Sequence, residues 1–173
     1  VLAGDLGTVL ARRFEQVGDA AREVAGLAAA VGRDFGLDLL TEASDLDADS
    51  VVLAVDELWR RRILREVGTG YDFSHDLLRD AAYDQVSPPR RWLLHRRLAQ
   101  ALELLHADAP DSVAALLAEQ YARGGEGRRA IRHYTRLEAQ TARPQTRATA
   151  KPGPPELKIS GPGGTAGGGR DMG

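Results

Sequence analysis

The residue best suited to chemistry in this chain is His75, in the run His75-Asp76-Leu77-Leu78. The residues before it predict a β-strand and the residues after it predict a helix, so the ring is expected at a strand–helix junction. An imidazole N–H beside a helix N-terminus is a good donor to an anionic oxygen, and Asp76 is suited to cap that helix. In the simpler alternative, backbone groups at the junction satisfy the ring nitrogens of His75.

A second group of interest is a local basic cluster. It consists of Arg90, Arg91, Arg96 and Arg97, with His95 among them. Such a cluster could contact DNA phosphates, but we favour a solvated helix face, because Arg90, His95 and Arg97 alternate with predicted core positions. In addition, no aromatic stacking platform accompanies the arginines.

Composition and spacing exclude several classes of chemistry for this chain. Cysteine is absent, which excludes disulfides, thiolate metal sites and a cysteine nucleophile. The remaining histidines, His95, His106 and His133, have no metal-ligand spacing, and no Ser-His-Asp set rises above chance. The chain has no G-x-x-x-x-G-K-S/T loop, and its only lysines are Lys151 and Lys158. We therefore expect no ATP hydrolysis and no bound cofactor in this chain alone.

Charge and hydropathy bound the partners and the location. The formal net charge of −2 and the pI near 6.1 give no general electrostatic reason to expect nucleic acid or an anionic membrane as a partner. No apolar run approaches the roughly 20 residues needed to cross a bilayer, and residues 1–5 do not form a signal peptide. We expect a cytoplasmic protein with no membrane partner. Because residue 1 is not methionine, we also expect the chain to begin within a longer protein.

The elements that must position these residues begin with helices predicted at residues 9–14, 19–31, 35–44 and 48–62. The second has an apolar face at i, i+3, i+4 and i+7, with Asp19 as its expected N-cap and Gly32 at its end. Asp47 is the expected N-cap of the fourth. The expected core side chains of that fourth helix are Val51, Val52, Leu53, Val55, Leu58 and Trp59.

A β-hairpin is predicted next, from strands at residues 63–67 and 71–74 around the turn Gly68-Thr69-Gly70. Three helices followed by a hairpin is the layout of a winged helix. Winged helices often bind DNA through the N-terminal end of a recognition helix. Here that end would carry Asp45, Asp47 and Asp49, which DNA phosphates would repel. We therefore expect this domain to serve packing between domains.

Four further helices are predicted after the hairpin, at residues 76–85 and 88–106, from Pro110, and at 128–141. The side chains expected to point inward are Trp92, Leu93, Leu98, Leu102 and Leu105, then Val113, Leu116, Leu117 and Tyr121, then Ala130, Ile131, Tyr134 and Leu137. Successive antiparallel helices of this length predict the beginning of a TPR-like α-solenoid. The expected fold class is therefore mainly α, with a winged helix at residues 1–86 and a helical TPR-like region at 87–143.

The remaining residues, 144–173, are rich in proline and glycine and poor in apolar side chains. Such a segment cannot bury enough surface to offset the entropy of ordering it, so we expect a disordered tail. The change of composition falls in the middle of what looks like a helical repeat. A natural linker and a frameshifted or truncated reading frame both explain it.

Several segments together carry a resemblance to a known family. The run from Tyr71 to Tyr83, YDFSHDLLRDAAY, resembles the end of the winged-helix domain of bacterial STAND ATPases. These include LuxR-type and SARP-type transcriptional regulators and ATPase-linked adenylate cyclases. The run SPPRRWLLHRRLA, from Ser87, resembles their next element, and AAAVGRDF, from Ala28, is similar to their first long helix and its exit. The resemblance covers about residues 9–134.

The resemblance implies a role for His75 and for the chain. In related NB-ARC proteins the histidine of a similar motif contacts the β-phosphate of bound ADP and helps to hold the closed, inactive state. The resemblance thus implies that His75 does so in a full-length protein that binds ATP or ADP. The implied partners are a nucleotide-binding domain before residue 1 and further helical repeats, with DNA bound only through a separate effector domain.

The expected function is that of a non-catalytic regulatory fragment of a STAND-type ATPase signalling or transcriptional regulator. It would couple nucleotide state to a helical sensor array, while the effector, DNA binding or cyclase activity, lies elsewhere. The alternative is a stand-alone winged-helix DNA-binding protein that uses the basic cluster of Arg90, Arg91, Arg96 and Arg97. Salt-dependent binding to DNA would separate the two.

Overall fold

The computed structural model describes residues 2–142 of the chain. In this range the protein is mainly helical, with one two-stranded antiparallel sheet, which confirms the predicted class at this level. The elements in chain order are α1 (Leu2–Glu15), α2 (Asp19–Val31), α3 (Leu37–Ala43), α4 (Ala48–Arg60), β1 (Leu64–Val67), β2 (Gly70–Phe73), α5 (Asp76–Asp84), α6 (Pro88–Leu105), a 3₁₀ turn (Pro110–Val113), α7 (Ala114–Arg123) and α8 (Gly127–Thr141).

The predicted domain limits do not follow from the bounds of the helices and strands. The described residues, 2–142, belong to a single unit by their contacts, and the predicted boundary between residues 86 and 87 stays a prediction. The predicted disordered tail at 144–173 lies outside the described residues. The natural linker and the frameshifted or truncated reading frame therefore both stay open as explanations of its composition.

Helix α2 lies at the centre of the first half of the fold, where α3, α4, α5 and α6 pack around it. Most of its buried side chains are alanines, which allow close approach of neighbouring backbones. A Cβ atom added at Gly26 would lie only 2.7 Å from Cγ2 of Val86, so the close approach requires glycine there. The helix bounds agree with the prediction, but Gly18 and not Asp19 is the N-cap. Asp19 is the first helical residue, where its charge favours the helix dipole.

Helix α4 shows where helical periodicity alone overestimates the core. Asp47 caps it as predicted, accepting a hydrogen bond of 2.9 Å from the Ser50 N–H. Its buried stripe is Val51, Ala54, Val55 and Leu58, whereas the predicted core residues Val52, Leu53 and Trp59 are exposed. The prediction placed six apolar side chains inward, but they cover more than one face of the helix. Only one stripe can face α2.

The end of α4 is two residues earlier than predicted because the chain turns there in a left-handed conformation. Arg61 is the C-cap, and Arg62 follows with φ of 56°. The Arg62 N–H donates to the Trp59 carbonyl at 2.8 Å, and the Ile63 N–H donates to the Leu58 carbonyl at 2.9 Å. These two bonds form a Schellman motif in which arginine stands at the position that usually holds glycine.

The β-hairpin agrees with the prediction to within one residue at each strand end. Leu64 pairs with Phe73 and Val67 with Gly70, and Gly68 occupies the turn with φ of 57°. Phe35 forms an isolated bridge to Tyr71, with N–H···O distances of 3.0 and 2.9 Å. The prediction that Phe35 opens a helix was therefore wrong. Its backbone bonds to the hairpin instead, and α3 begins at Leu37.

Helix α6 joins the two halves of the described chain, since it packs against α2 and α3 on one side and α7 on the other. Leu98 and Leu102 are buried as predicted, but Trp92, Leu93 and Leu105 are exposed. The positions buried in addition are Leu94, His95, Ala99 and Ala101. Because α6 packs against neighbours on two sides, its buried stripe is wider and includes small residues and one polar residue. Apolar periodicity does not detect such a stripe.

The last elements are a helical pair. The segment from Pro110 opens with a 3₁₀ turn before α7, and Gly124 ends α7 as predicted. In α8, Ala130 is buried as expected, but Ile131 is 64% exposed and Tyr134 is 48% exposed. Their exposure follows from position, because α8 packs mainly against α7 among the described residues.

We predict that Arg62→Gly stabilises the protein by about 1 kcal/mol, because glycine adopts positive φ without the clash that costs other L-residues. Chemical denaturation followed by circular dichroism measures the change. Arg62→Ala is the matched control, since it removes the guanidinium but keeps the backbone strain. If both variants gain stability equally, the side chain and not the backbone is responsible.

Candidate functional site

His75 lies at the junction between β2 and α5, as the sequence predicts. It is the N-cap of α5, with φ of −147° and ψ of 144°, and its carbonyl accepts from the Leu78 N–H at 3.0 Å. The side chain is exposed, and no hydrogen bond or ion pair joins its imidazole to another described residue. The alternative in which backbone groups of the junction satisfy the ring is thus not what these residues form.

Asp76 fixes the junction, although not in the way the sequence suggested. It is the first residue of α5 and no side chain caps the helix, so the prediction of an Asp76 cap was wrong. Extended backbone belongs to His75, which leaves Asp76 inside the first turn. The Asp76 carboxylate instead accepts from Nη2 of Arg33 at 2.6 and 2.7 Å and lies 3.5 Å from Arg79. Arg33 follows the end of α2, so this ion pair joins α2 to the helix that presents His75.

The arginines of the predicted basic cluster all lie on α6 but pair with carboxylates of different elements. Each arginine lies within ion-pair distance of a carboxylate: Arg90–Glu23 at 3.7 Å, Arg91–Asp84 at 3.3 Å, Arg96–Glu126 at 2.8 Å and Arg97–Asp45 at 2.5 Å. The carboxylates belong to α2, to the end of α5, to the loop before α8 and to the loop before α4. The four guanidinium groups therefore connect α6 to its neighbours, which weakens the case for a free phosphate-binding surface.

Two of these arginines also lie over aromatic rings. The guanidinium carbon of Arg91 is 4.3 Å from the centroid of the Tyr83 ring, and that of Arg96 is 4.6 Å from the Trp92 ring. Cation–π contacts of this kind contribute about 0.5–1 kcal/mol at exposed sites. The Arg91 contact joins α6 to α5, whereas the Arg96 contact lies within α6.

The central polar feature of the fold is a hydrogen-bonded chain around His95, which sequence reasoning missed. His95 is 1% exposed. Its Nε2 is 2.8 Å from the Tyr83 hydroxyl, and its Nδ1 is 2.7 Å from Oε1 of Gln120. Nε2 of Gln120 donates to the Ala30 carbonyl at 3.2 Å. Four helices, α5, α6, α7 and α2, thus meet in one polar chain.

The hydrogen-bond partners of His95 and Gln120 determine which atoms of this hydrogen-bonded chain carry the protons. A carbonyl can only accept, so the Ala30 oxygen requires the amide nitrogen of Gln120 and orients its Oε1 toward His95. His95 must then carry its proton on Nδ1 and accept from the Tyr83 hydroxyl at Nε2. Each hydrogen bond therefore has a defined direction.

The imidazole of His95 is held neutral. Burial lowers its pKa below the ordinary value, because a charged ring would lose its hydration, and the nearby Arg123 and Arg91 charges lower it as well. The hydrogen bond to Gln120 and the negative charge of Glu119 act in the opposite direction and raise the pKa. A neutral ring suits the chain, since one nitrogen must accept and the other must donate.

A second titratable cluster lies between α6, α7 and α8. The rings of Tyr121 and His133 stack with centroids 5.7 Å apart, and Nε2 of His133 is 3.6 Å from Glu103. Burial, together with the neighbouring Glu103, raises the pKa of Tyr121 to about 12. The phenol therefore stays protonated and takes part in packing. Across residues 2–142, no group of three or more side chains is arranged to hold a metal ion.

Comparison with known proteins relates the chain to part of a much longer one. A 123-residue stretch is 32% identical to an uncharacterized protein of Rhizobium meliloti (strain 1021). The match covers 68% of this chain, which spans only 12% of that relative. No family model matches the chain, and no solved structure is significantly similar to it. No helix in the described range is long and apolar enough to cross a membrane.

We predict that Gln120→Leu lowers the free energy of unfolding by about 1–3 kcal/mol, because it leaves the His95 Nδ1–H and the Ala30 carbonyl buried without partners. Urea denaturation measures the loss. Gln100→Leu is the control, since Gln100 lies exposed on α6 and its replacement should change stability by less than about 0.5 kcal/mol. Equal effects of the two substitutions would contradict a structural role for the hydrogen-bonded chain around His95.

We also predict that acidification destabilises the protein through His95. Its pKa is lower in the folded than in the unfolded state, so the unfolded state binds the proton first. The contribution to stability is complete above the ordinary value of 6.5 and decreases as the pH falls through 6.5 toward the folded pKa. Unfolding free energies from about pH 8 to about pH 5 should fall less steeply in His95→Gln than in the unsubstituted protein. His106→Gln, which removes a histidine that is not part of the hydrogen-bonded chain, should leave the slope of unfolding free energy against pH unchanged.

Proposed function

We propose that this chain is a non-catalytic regulatory region of a STAND-type ATPase involved in signalling or transcription. In this proposal α2 to β2 form a winged helix, and α6 to α8 begin a TPR-like array that senses an inducer. The region transmits nucleotide state from an ATPase domain elsewhere in the full-length protein to the array, and it acts in the cytoplasm.

The order of elements supports the proposal. Helices α2, α3 and α4 are followed by the hairpin of β1 and β2, then by α5, which starts at the histidine of the YDFSHDLL run. The three helices after it pack in sequence, α6 against α7 and α7 against α8, as neighbouring helices do in helical repeats. The match to a short part of a much longer relative is consistent with a module of a multidomain protein.

The exposed imidazole of His75 is the observation on which the proposal mainly rests. It stands at the N-cap of α5 without a partner among the described residues, while Arg33 pairs with Asp76 in the first turn of the helix. A donor at a helix N-terminus is suited to an anionic phosphate oxygen. We propose the β-phosphate of ADP, bound by the ATPase domain, as the group that His75 contacts in the closed state.

The buried polar chain gives this contact a physical route to the helical array. Helix α5 carries His75 at its start and Tyr83 near its end, and Tyr83 bonds to His95 of α6. From His95 the chain continues to Gln120 of α7. A shift of α5 on loss of the phosphate contact would have to break or move this directional chain. Nucleotide state would in this way bias the position of α6 and α7.

We predict that His75→Ala in the full-length protein raises the Kd for ADP at least about tenfold, the loss expected for one charge-assisted hydrogen bond. The experiment begins with sequencing the genomic region before Val1 to obtain an in-frame ATPase domain. Titration of the purified full-length protein with a fluorescent ADP analogue then measures Kd. His106→Ala is the control, because it removes a histidine away from the α5 junction.

Two results would contradict the proposal. One is a start codon directly before Val1 with no ATPase domain nearby. The other is tight binding of the chain to duplex DNA that weakens steeply with salt and is lost when Arg90 and Arg97 are replaced by glutamine. Either result would favour the stand-alone DNA-binding protein, for which phosphate contacts predict such salt dependence.

A further inference from the structure

A groove between α4 and the β-hairpin lies apart from His75 and from the polar chain. Its volume is about 270 Å³, and its apolar lining includes Val52 and Trp59 of α4, Leu37 of α3 and Tyr71 of β2. Val52 is 46% exposed and Trp59 is 47% exposed, and the two lie about two turns apart on the same helix face. Leu53, beside Val52, is 68% exposed. Val52 and Trp59, two of the three predicted core residues of α4 that are exposed, therefore line the same groove.

The charges that line this groove all have the same sign. Its charged side chains are Asp56 and Glu66, and no arginine is among its lining residues. Asp56 forms an exposed ion pair with Arg60 at 2.9 Å. Glu66 is exposed, has no ion pair with a described residue, and stands opposite Tyr71 in the strand register. The groove thus combines two aromatic rings with two carboxylates.

We propose that this groove binds a segment of a protein partner in which an arginine or lysine is flanked by apolar side chains. The apolar flanks would cover Val52 and Leu37, which lie together in the groove and so form a patch, unlike apolar residues scattered singly over a surface. The basic side chain would lie against Trp59 and Tyr71 by cation–π attraction and pair with Glu66. Nucleic acid is unsuited, because its phosphates would face the two carboxylates. A second copy of the chain would bring the same negative charges against each other.

The test uses the whole 173-residue chain and a fluorescein-labelled amphipathic peptide of about 15 residues, long enough to form a helix on binding. The peptide has leucines on one face and arginines along the border of that face, so that both can reach the groove, and a matched peptide carries glutamate in place of arginine. Fluorescence anisotropy measures binding. The arginine peptide should bind with saturation, and the glutamate peptide should not bind.

Substitutions assign the binding to the groove. Trp59→Ala, and separately Asp56→Asn combined with Glu66→Gln, should each raise Kd for the arginine peptide by about tenfold, the scale of a partly desolvated cation–π or charge contact. The double variant keeps every apolar contact, so it remains informative if Trp59→Ala is poorly folded. Circular dichroism checks that both variants retain their helical content.

Matched controls distinguish the groove from general attraction. Trp92→Ala removes a tryptophan of similar exposure on α6, and Glu15→Gln combined with Asp108→Asn removes two exposed charges outside the groove. Neither should change Kd. Equal weakening by these controls, equal binding of both peptides, or no binding would each overturn the proposal. It would also be overturned by a dimer in light scattering that Trp59→Ala converts to monomer, since the occupant would then be a second copy.

Discussion

The relative placement of four helices depends on keeping one neutral imidazole hydrogen-bonded away from water. Both ring nitrogens of His95 are satisfied only if α5 places the Tyr83 hydroxyl, and α7 places the Gln120 side chain, within hydrogen-bond distance of the ring. Gln120 in turn requires the carbonyl at the end of α2. An unsatisfied polar group in such a site is costly, so displacement of any of these helices is opposed. Apolar packing alone would allow more than one arrangement of comparable energy.

This constraint gives α5 a special position in the fold. One end of the helix presents an exposed histidine on a turn held by Arg33 and Asp76, and the other end enters the polar chain. The exposed ion pair contributes little free energy. The buried hydrogen bonds contribute more, so the end of α5 at Tyr83 is held more firmly than the end at His75. The proposed coupling of nucleotide state to the helical array rests on this asymmetry.

The arginines of α6 differ in sign and in pairing from the charged side chains beside the exposed face of α4. The arginines of α6 are occupied by carboxylates of neighbouring elements, which connects the helix to the rest of the fold. The face of α4 beside the hairpin carries exposed apolar side chains with carboxylates near them. A surface of this kind is suited to a basic, apolar protein segment. Both features argue for contacts with protein partners more than for contacts with nucleic acid.

The sequence by itself determined most helix bounds, the Asp47 cap, the hairpin and the position of His75 at a strand–helix junction, because these depend on neighbours within a few residues. Only the tertiary structure decided which apolar face of α4 is buried, that Phe35 pairs with the hairpin, and that His95 belongs to the core and not to a basic cluster. The physical reason is distance along the chain. Gln120 and Ala30 are 90 residues apart, and a histidine among arginines carries no local sign of them. Burial of a polar side chain depends on the partners that distant segments bring to it.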